Sequence, residues 1–172
     1  KSIEENTLLD YVNRVKVKKG DIFFIEAGTL HAICKGILLA EVQQNSNTTY
    51  RVYDYGRLQN GKPRELHVEK AIDVTNCTPP TRSTNPEGEL LVKNGYSAQL
   101  LTKCDLFNVE KVTVTTEYTS VADEKSFVSV LVTDGNASID NIDIEKGDSL
   151  FIPANYGEFT VSGNAELIIT KV

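Results

Sequence analysis

The sequence predicts a mainly β protein, an antiparallel sandwich or closed barrel carrying one or two short helices. Three observations lead there. From Glu89 onward, short apolar runs rich in β-branched residues follow one another closely, punctuated by Gly, Asn and Asp. A turn-and-strand unit recurs: Lys19-Gly20-Asp21-Ile22-Phe23-Phe24-Ile25 returns as Lys146-Gly147-Asp148-Ser149-Leu150-Phe151-Ile152, five identities in seven at an offset of 127. Helical spacing is confined to two stretches, residues 3–13 and 63–74.

Taken in order, Leu8, Leu9 and Val12 predict a short helix over residues 3–13, with Asn6 or Thr7 as its cap. Val15-Lys16-Val17-Lys18 alternates apolar with basic, the pattern of a half-exposed strand. Lys19-Gly20-Asp21 turns the chain into a strand over Ile22 to Ile25, which ends at the Ala27-Gly28 turn. His31 follows. Residues 37–43 read as a strand with Leu39, Glu41 and Gln43 on one face. Residues 48–55 read as another, with Thr49, Arg51, Tyr53 and Tyr55 sharing a face. Asn60-Gly61 is a hairpin-type turn. Pro63 suits a first helical turn, and Leu66, Val68, Ala71 and Ile72 extend that helix to about Val74, with His67 on it as an ordinary surface or satisfied histidine.

Prolines 79, 80 and 86 make residues 75–88 the clearest linker, since they forbid ladder bonds and helix alike. The charge balance changes there. Residues 1–82 carry 12 Lys and Arg against 10 Asp and Glu; residues 83–172 carry 6 against 14. Three domains of behaviour are therefore expected: 1–74 with a closing helix, 75–88 as linker, and 89–172 as a second β unit. Strands are expected over 90–92, 98–102, 106–115, 127–133, 137–139, 149–152, 159–161 and 166–172, with turns at Asp134-Gly135-Asn136 and Ser162-Gly163-Asn164.

A net charge of −6 argues against a nucleic-acid partner, and no apolar run approaches the length of a membrane span. Three widely spaced cysteines, Cys34, Cys77 and Cys104, with no Cys-x-x-Cys pair, fit a reducing cytoplasm better than a disulfide scaffold. The chain opens on Lys1 and contains no methionine, which leads us to expect a piece of a longer polypeptide.

Gly20, Gly28 and His31 resemble the second motif of the cupin superfamily of jelly-roll barrels. The later copy, with Gly147, Pro153 and Asn155, keeps that pattern but places Glu158 where His31 stands. The longer runs 24–33, 38–44 and 49–57, with the following Leu66 to Ala71, resemble type I mannose-6-phosphate isomerase of the bacterial kind. Tyr55 and Asn47 depart from it where tryptophan and aspartate are common. The resemblance implies cupin jelly-roll barrels, the first incomplete and followed by a degenerate second.

It also implies an enzyme, an aldose-ketose isomerase acting on mannose 6-phosphate and fructose 6-phosphate through a cis-enediolate. In that family zinc is held by two histidines, a glutamate and other side chains; His31 matches one of those histidines. Arg51 matches an active-site arginine, to stabilise enediolate or sugar oxygens, and its alternative is an ion pair with Glu41 or Asp54. Glu41 is a candidate proton shuttle or a carboxylate steadying a ligand, with a strand salt bridge as the alternative. The remaining zinc ligands would come from an N-terminal half of the same polypeptide. One imidazole does not retain zinc, because affinity comes from three or four ligands closing on one ion, so this chain alone is expected to be inactive and metal-poor. The phosphate needs a cation, with Lys35, Arg57 and the rest of the polypeptide all open as its source. The competing reading is a metal-free cupin module that binds a sugar or a protein partner. It leaves Glu41, Arg51 and the Tyr50 to Arg57 run without a role.

Overall fold

The computed structural model describes residues 1–5 and 7–172. It divides into two compact units, one of residues 1–21 and 25–82, the other of residues 22–24 and 83–172.

The second unit is an antiparallel sheet of eight strands. They are β3 (Leu91–Lys93), β4 (Tyr96–Lys103), β5 (Asn108–Val114), β6 (Glu117–Ala122), β7 (Val128–Ile139), β8 (Ile142–Glu145), β9 (Ser149–Ile152) and β10 (Gly157–Lys171), the numbering leaving two short strands to the first unit. The order runs β3-β4-β5-β10-β7-β8, with β6 added to the first half of β10 and β9 to the first half of β7. Strands β7 and β10 each pair with different neighbours at their two ends, which is how a jelly roll folds one sheet over itself.

The two turns expected at Asp134-Gly135-Asn136 and Ser162-Gly163-Asn164 are not turns. They lie opposite each other inside β7 and β10, with Asn136 facing Asn164 and Gly163 facing Ala137 in register, and the ladder shifts between Glu166 and Leu167. A Cβ on Gly135 would collide with the Asn164 carbonyl oxygen, and one on Gly163 would lie 2.8 Å from Ala137 Cα. Glycine is there because two bent strands pass too close for side chains. Strand β6 and strand β8 went unrecognised in the sequence, their apolar positions being diluted by Glu, Thr and Asp.

Alternation fills the interior. Val128, Val130 and Val132 of β7, and Phe159, Val161, Ala165, Leu167 and Ile169 of β10, are buried with Val112, Val114, Ile139, Ile144 and Ile152. Tyr118 packs edge-on to Tyr96 at 4.9 Å, and burial pushes its phenol above the usual tyrosine range. The start of the unit is tied down by Glu87, whose carboxylate accepts from Thr102 Oγ1 at 3.0 Å and from the Lys103 N–H at 3.1 Å.

The first unit is mostly irregular. A single 3-10 turn, Leu8–Asp10, stands where a helix over 3–13 was expected; Thr7 precedes it with no side-chain cap, and Asn6 lies outside the described residues. β1 (Leu58–Gln59) and β2 (Lys62–Pro63) form a hairpin around Asn60 and Gly61, both at positive φ. That pairing takes Pro63 out of the helix, so α1 spans only Val68–Val74, with His67 as its cap residue.

The strands expected over 15–18, 22–25, 37–43 and 48–55 are not formed. Among the described residues these segments enter no ladder. Apolar, β-branched composition marks a segment that fits a sheet, but the ladder itself requires a neighbour. Without one the apolar side chains stay in solvent: Leu38 is 91% exposed, and Val52 and Ala71 are the buried hydrophobic side chains among the described residues of this unit.

The repeat is visible in the backbone nonetheless. Asp21 accepts the Lys18 N–H at 2.9 Å and Asp148 accepts the Glu145 N–H at 2.8 Å. Gly20 and Gly147 have φ of 93° and 101°, and the matched pair Gly28 and Asn155 have 85° and 64°. The next turn closes alike in both, Thr29 N–H to Glu26 O at 3.0 Å and Tyr156 N–H to Pro153 O at 3.2 Å.

Candidate active site

His31 comes two residues after that second turn. Gly28 is packed against the end of α1: its carbonyl accepts the Asn76 N–H at 2.9 Å, and a Cβ there would strike the Val74 carbonyl oxygen. The imidazole itself is exposed. Its Nδ1 lies 2.8 Å from the Thr29 carbonyl oxygen. A carbonyl only accepts, so Nδ1 is the donor, and in the neutral ring Nε2 is the nitrogen with a free lone pair. A histidine fixed in this way presents one nitrogen to a ligand or a metal.

Arg51 is half-buried beside the β1–β2 hairpin. Its backbone N–H donates to His67 Nδ1 at 3.2 Å, its carbonyl accepts the His67 N–H at 2.7 Å, and its guanidinium donates to the Glu65 carbonyl at 3.2 Å. Together with Gln59, Asn60, Lys62, Pro63, Arg64, Glu65 and His67 it lines an open cleft of about 500 Å³. The cleft is cationic, and Glu65 is the carboxylate on its rim.

Asp54 is held by Arg64 rather than Arg51. Two parallel hydrogen bonds join the groups, one of them 2.7 Å from Nε to Oδ2, and the Arg64 hydrogen bond holds the Asp54 carboxyl below the usual carboxylate range. So Arg64 is spoken for, and the ion pair weighed for Arg51 belongs to its neighbour. Edge-on packing of Tyr53 and Tyr55 at 4.8 Å, with Arg57 over the Tyr55 ring at 5.3 Å, completes the segment.

Of the three residues singled out in the sequence, then, Arg51 lies in a cleft and His31 and Glu41 do not line it. Glu41 is exposed in an irregular stretch, with no hydrogen bond or ion pair to another described residue. Sequence reasoning missed His67, which it set inside a helix as a bystander. The signal was present: a two-residue Asn-Gly hairpin needs a paired residue on each side, so Lys62 and Pro63 were already committed and the helix had to start later.

Among the described residues no three His, Cys, Asp or Glu side chains gather as a metal ion requires. The described residues do not by themselves fit a zinc site.

Comparison with known proteins bears on both units. Residues 97–172 match the family model for the mannose-6-phosphate isomerase cupin domain. A putative mannose-6-phosphate isomerase of Bacillus subtilis is 36% identical over 94% of this chain and 52% of its own length. The mannose-6-phosphate isomerase ManA of the same organism is 37% identical over 99% of this chain and 55% of its own. The crystal structure of a Bacillus subtilis mannose 6-phosphate isomerase superposes with a TM-score of 0.65 at 32% identity, over 75% of this chain and 42% of that one. The chain spans about half the length of the curated relatives it matches. Residues 97–172 thus match the cupin domain of mannose-6-phosphate isomerases, and the chain as a whole is similar to about half the length of such enzymes.

Proposed function

We propose that this chain supplies the closing part of the catalytic unit, and the cupin domain that follows, of an isomerase interconverting mannose 6-phosphate and fructose 6-phosphate. The observation that carries the reading is identity of 36–37% to mannose-6-phosphate isomerases across almost the whole chain. It includes the first unit, where the candidate side chains lie. Three free cysteines and the lack, among the described residues, of a helix long and apolar enough to cross a membrane support a cytoplasmic setting.

The isomerisation moves a proton between C2 and C1 while negative charge builds on the neighbouring oxygen. Arg51 suits the second task. A guanidinium held by the Glu65 carbonyl offers its remaining N–H groups to an oxyanion. Glu41 is the candidate for proton transfer in this chain, an exposed carboxylate without an ion pair to another described residue. His31, whose Nδ1 is engaged by the Thr29 carbonyl and whose Nε2 is left to bind, is proposed as one zinc ligand, the others lying in the first half of the longer polypeptide that the relatives' length suggests. No chemical step is assigned to the metal. The isomerised sugar phosphate is the proposed small-molecule partner.

The test is turnover by the full-length polypeptide carrying Arg51→Ala. Loss of about 10²-fold in kcat with bound metal unchanged is expected for an oxyanion-stabilising group. Wild-type kcat in the variant, or loss of the metal with it, contradicts the role.

A further inference from the structure

We infer that His67 is a positioning residue for Arg51, setting the backbone from which the guanidinium reaches the substrate. The inference rests on the isomerase reading and deepens it. The two residues are sixteen apart in sequence and exchange hydrogen bonds in both directions, ring Nδ1 from the Arg51 N–H at 3.2 Å and His67 N–H to the Arg51 carbonyl at 2.7 Å. Both backbone polar groups of Arg51 are thereby satisfied by one residue, in a segment that has no ladder to hold it. The guanidinium's contact with the Glu65 carbonyl comes from the same short stretch. What a neighbouring strand does elsewhere, His67 does here.

The chemistry fixes its protonation. A ring nitrogen that accepts a backbone N–H carries no proton, so His67 is neutral with its hydrogen on Nε2, the opposite tautomer to His31. Nε2 faces Glu65, whose carboxylate lies 3.8 Å away on an otherwise exposed side chain, and the Tyr50 ring lies 6.2 Å off. The other charges lining the cleft are Arg51, Lys62 and Arg64, the last neutralised by Asp54.

Two variants of the full-length polypeptide separate positioning from bulk. His67→Phe keeps a ring and removes the acceptor. His67→Asn replaces it with an amide oxygen that can face the same N–H, on a residue that also caps helices well. Steady-state turnover of mannose 6-phosphate is measured at neutral pH, with bound metal as a control. His67→Phe is expected to lower kcat about tenfold, the loss of one well-placed hydrogen bond, with KM nearly unchanged. His67→Asn restores most of that. Wild-type kcat in both variants overturns the inference. So does an equal loss in both, which marks a packing role. If His67→Phe does not fold, His67→Leu takes its place beside His67→Asn, and equal turnover in the two contradicts us. A wild type that does not isomerise at all brings down the isomerase reading itself, a different result from an active wild type indifferent to His67.

Discussion

Segments 18–31 and 145–158 make the same pair of turns and then part company. Each opens with an aspartate accepting an N–H three residues back, passes a glycine at strongly positive φ, and turns again through a left-handed residue, Gly28 in one and Asn155 in the other. In the later segment the turns connect β8, β9 and β10, all paired to β6 or β7 and packed on Ile144, Ile152 and Phe159. In the earlier one the flanking residues have no ladder partner among the described residues. Turn geometry is decided within a few residues of chain; a strand is decided by what lies beside it. The two copies also differ in content. The later one holds an interior closed by aliphatic side chains and phenylalanine and an exposed Glu158 where the earlier one holds His31. The packed copy holds the hydrophobic interior, and the open one holds the polar residues proposed for the reaction.

That contrast predicts unequal costs for substitution. Phe159→Ala empties a fully buried position, and a loss of about 3–5 kcal/mol is expected in urea unfolding followed by the second unit's tyrosine signal. Leu38→Ala, at 91% exposure, is expected within about 0.5 kcal/mol of wild type. Comparable losses at both positions would erase the distinction.

Gly163→Ala tests the crossing of β7 and β10. The new methyl meets Ala137 at a φ of 133°, so a cost of about 2 kcal/mol or more is expected in the same assay. Gly20→Ala and Gly147→Ala sharpen the comparison from the other side. Neither methyl meets anything within 4 Å, and both bear only the strain of positive φ, so each is expected to cost about 1–2 kcal/mol. The matched turns should respond alike; a cost at Gly147 several times that at Gly20 would mean the later turn is held by its sheet.

The smallest effect is a pH dependence. Asp54 is held below the ordinary carboxylate range by Arg64, so its contribution is full above the unfolded value near ~3.9 and is lost as pH falls through the lower folded value. The Tyr53–Tyr55 near-ultraviolet signal of the first unit should therefore weaken below about pH 4. In Asp54→Asn the weaker signal should already be present at neutral pH and change little with acid. A wild-type signal flat to pH 2.5 removes the pair from the account.

How legible all this was depends on where the determining contacts are. The turns at Gly20, Asn60-Gly61 and Gly147 were readable because their residues act on their own backbone. Most strands after Glu89 were readable from alternation, since their partners lie in the same chain. Gly135 and Gly163 were misread as turns because a glycine between apolar runs looks the same whether the chain reverses or another strand passes close by; only the register of β7 against β10 separates the two. Residues 15–57 have strand composition without strands, a difference no local pattern encodes. In the candidate site Arg51 was found through resemblance, but its setting was not. The partner of Asp54 proved to be Arg64, ten residues on, and the partner of Arg51 proved to be His67, because the hairpin at Asn60-Gly61 folds that stretch back on itself.

The central claim is that reactivity belongs to the open copy and not to the packed one, and the matched positions His31 and Glu158 put it most directly to the test. Bound zinc and mannose 6-phosphate turnover are to be measured together in the full-length polypeptide carrying His31→Ala or Glu158→Ala. The account predicts that His31→Ala loses both while Glu158→Ala keeps both. Full metal and full turnover in His31→Ala would contradict it.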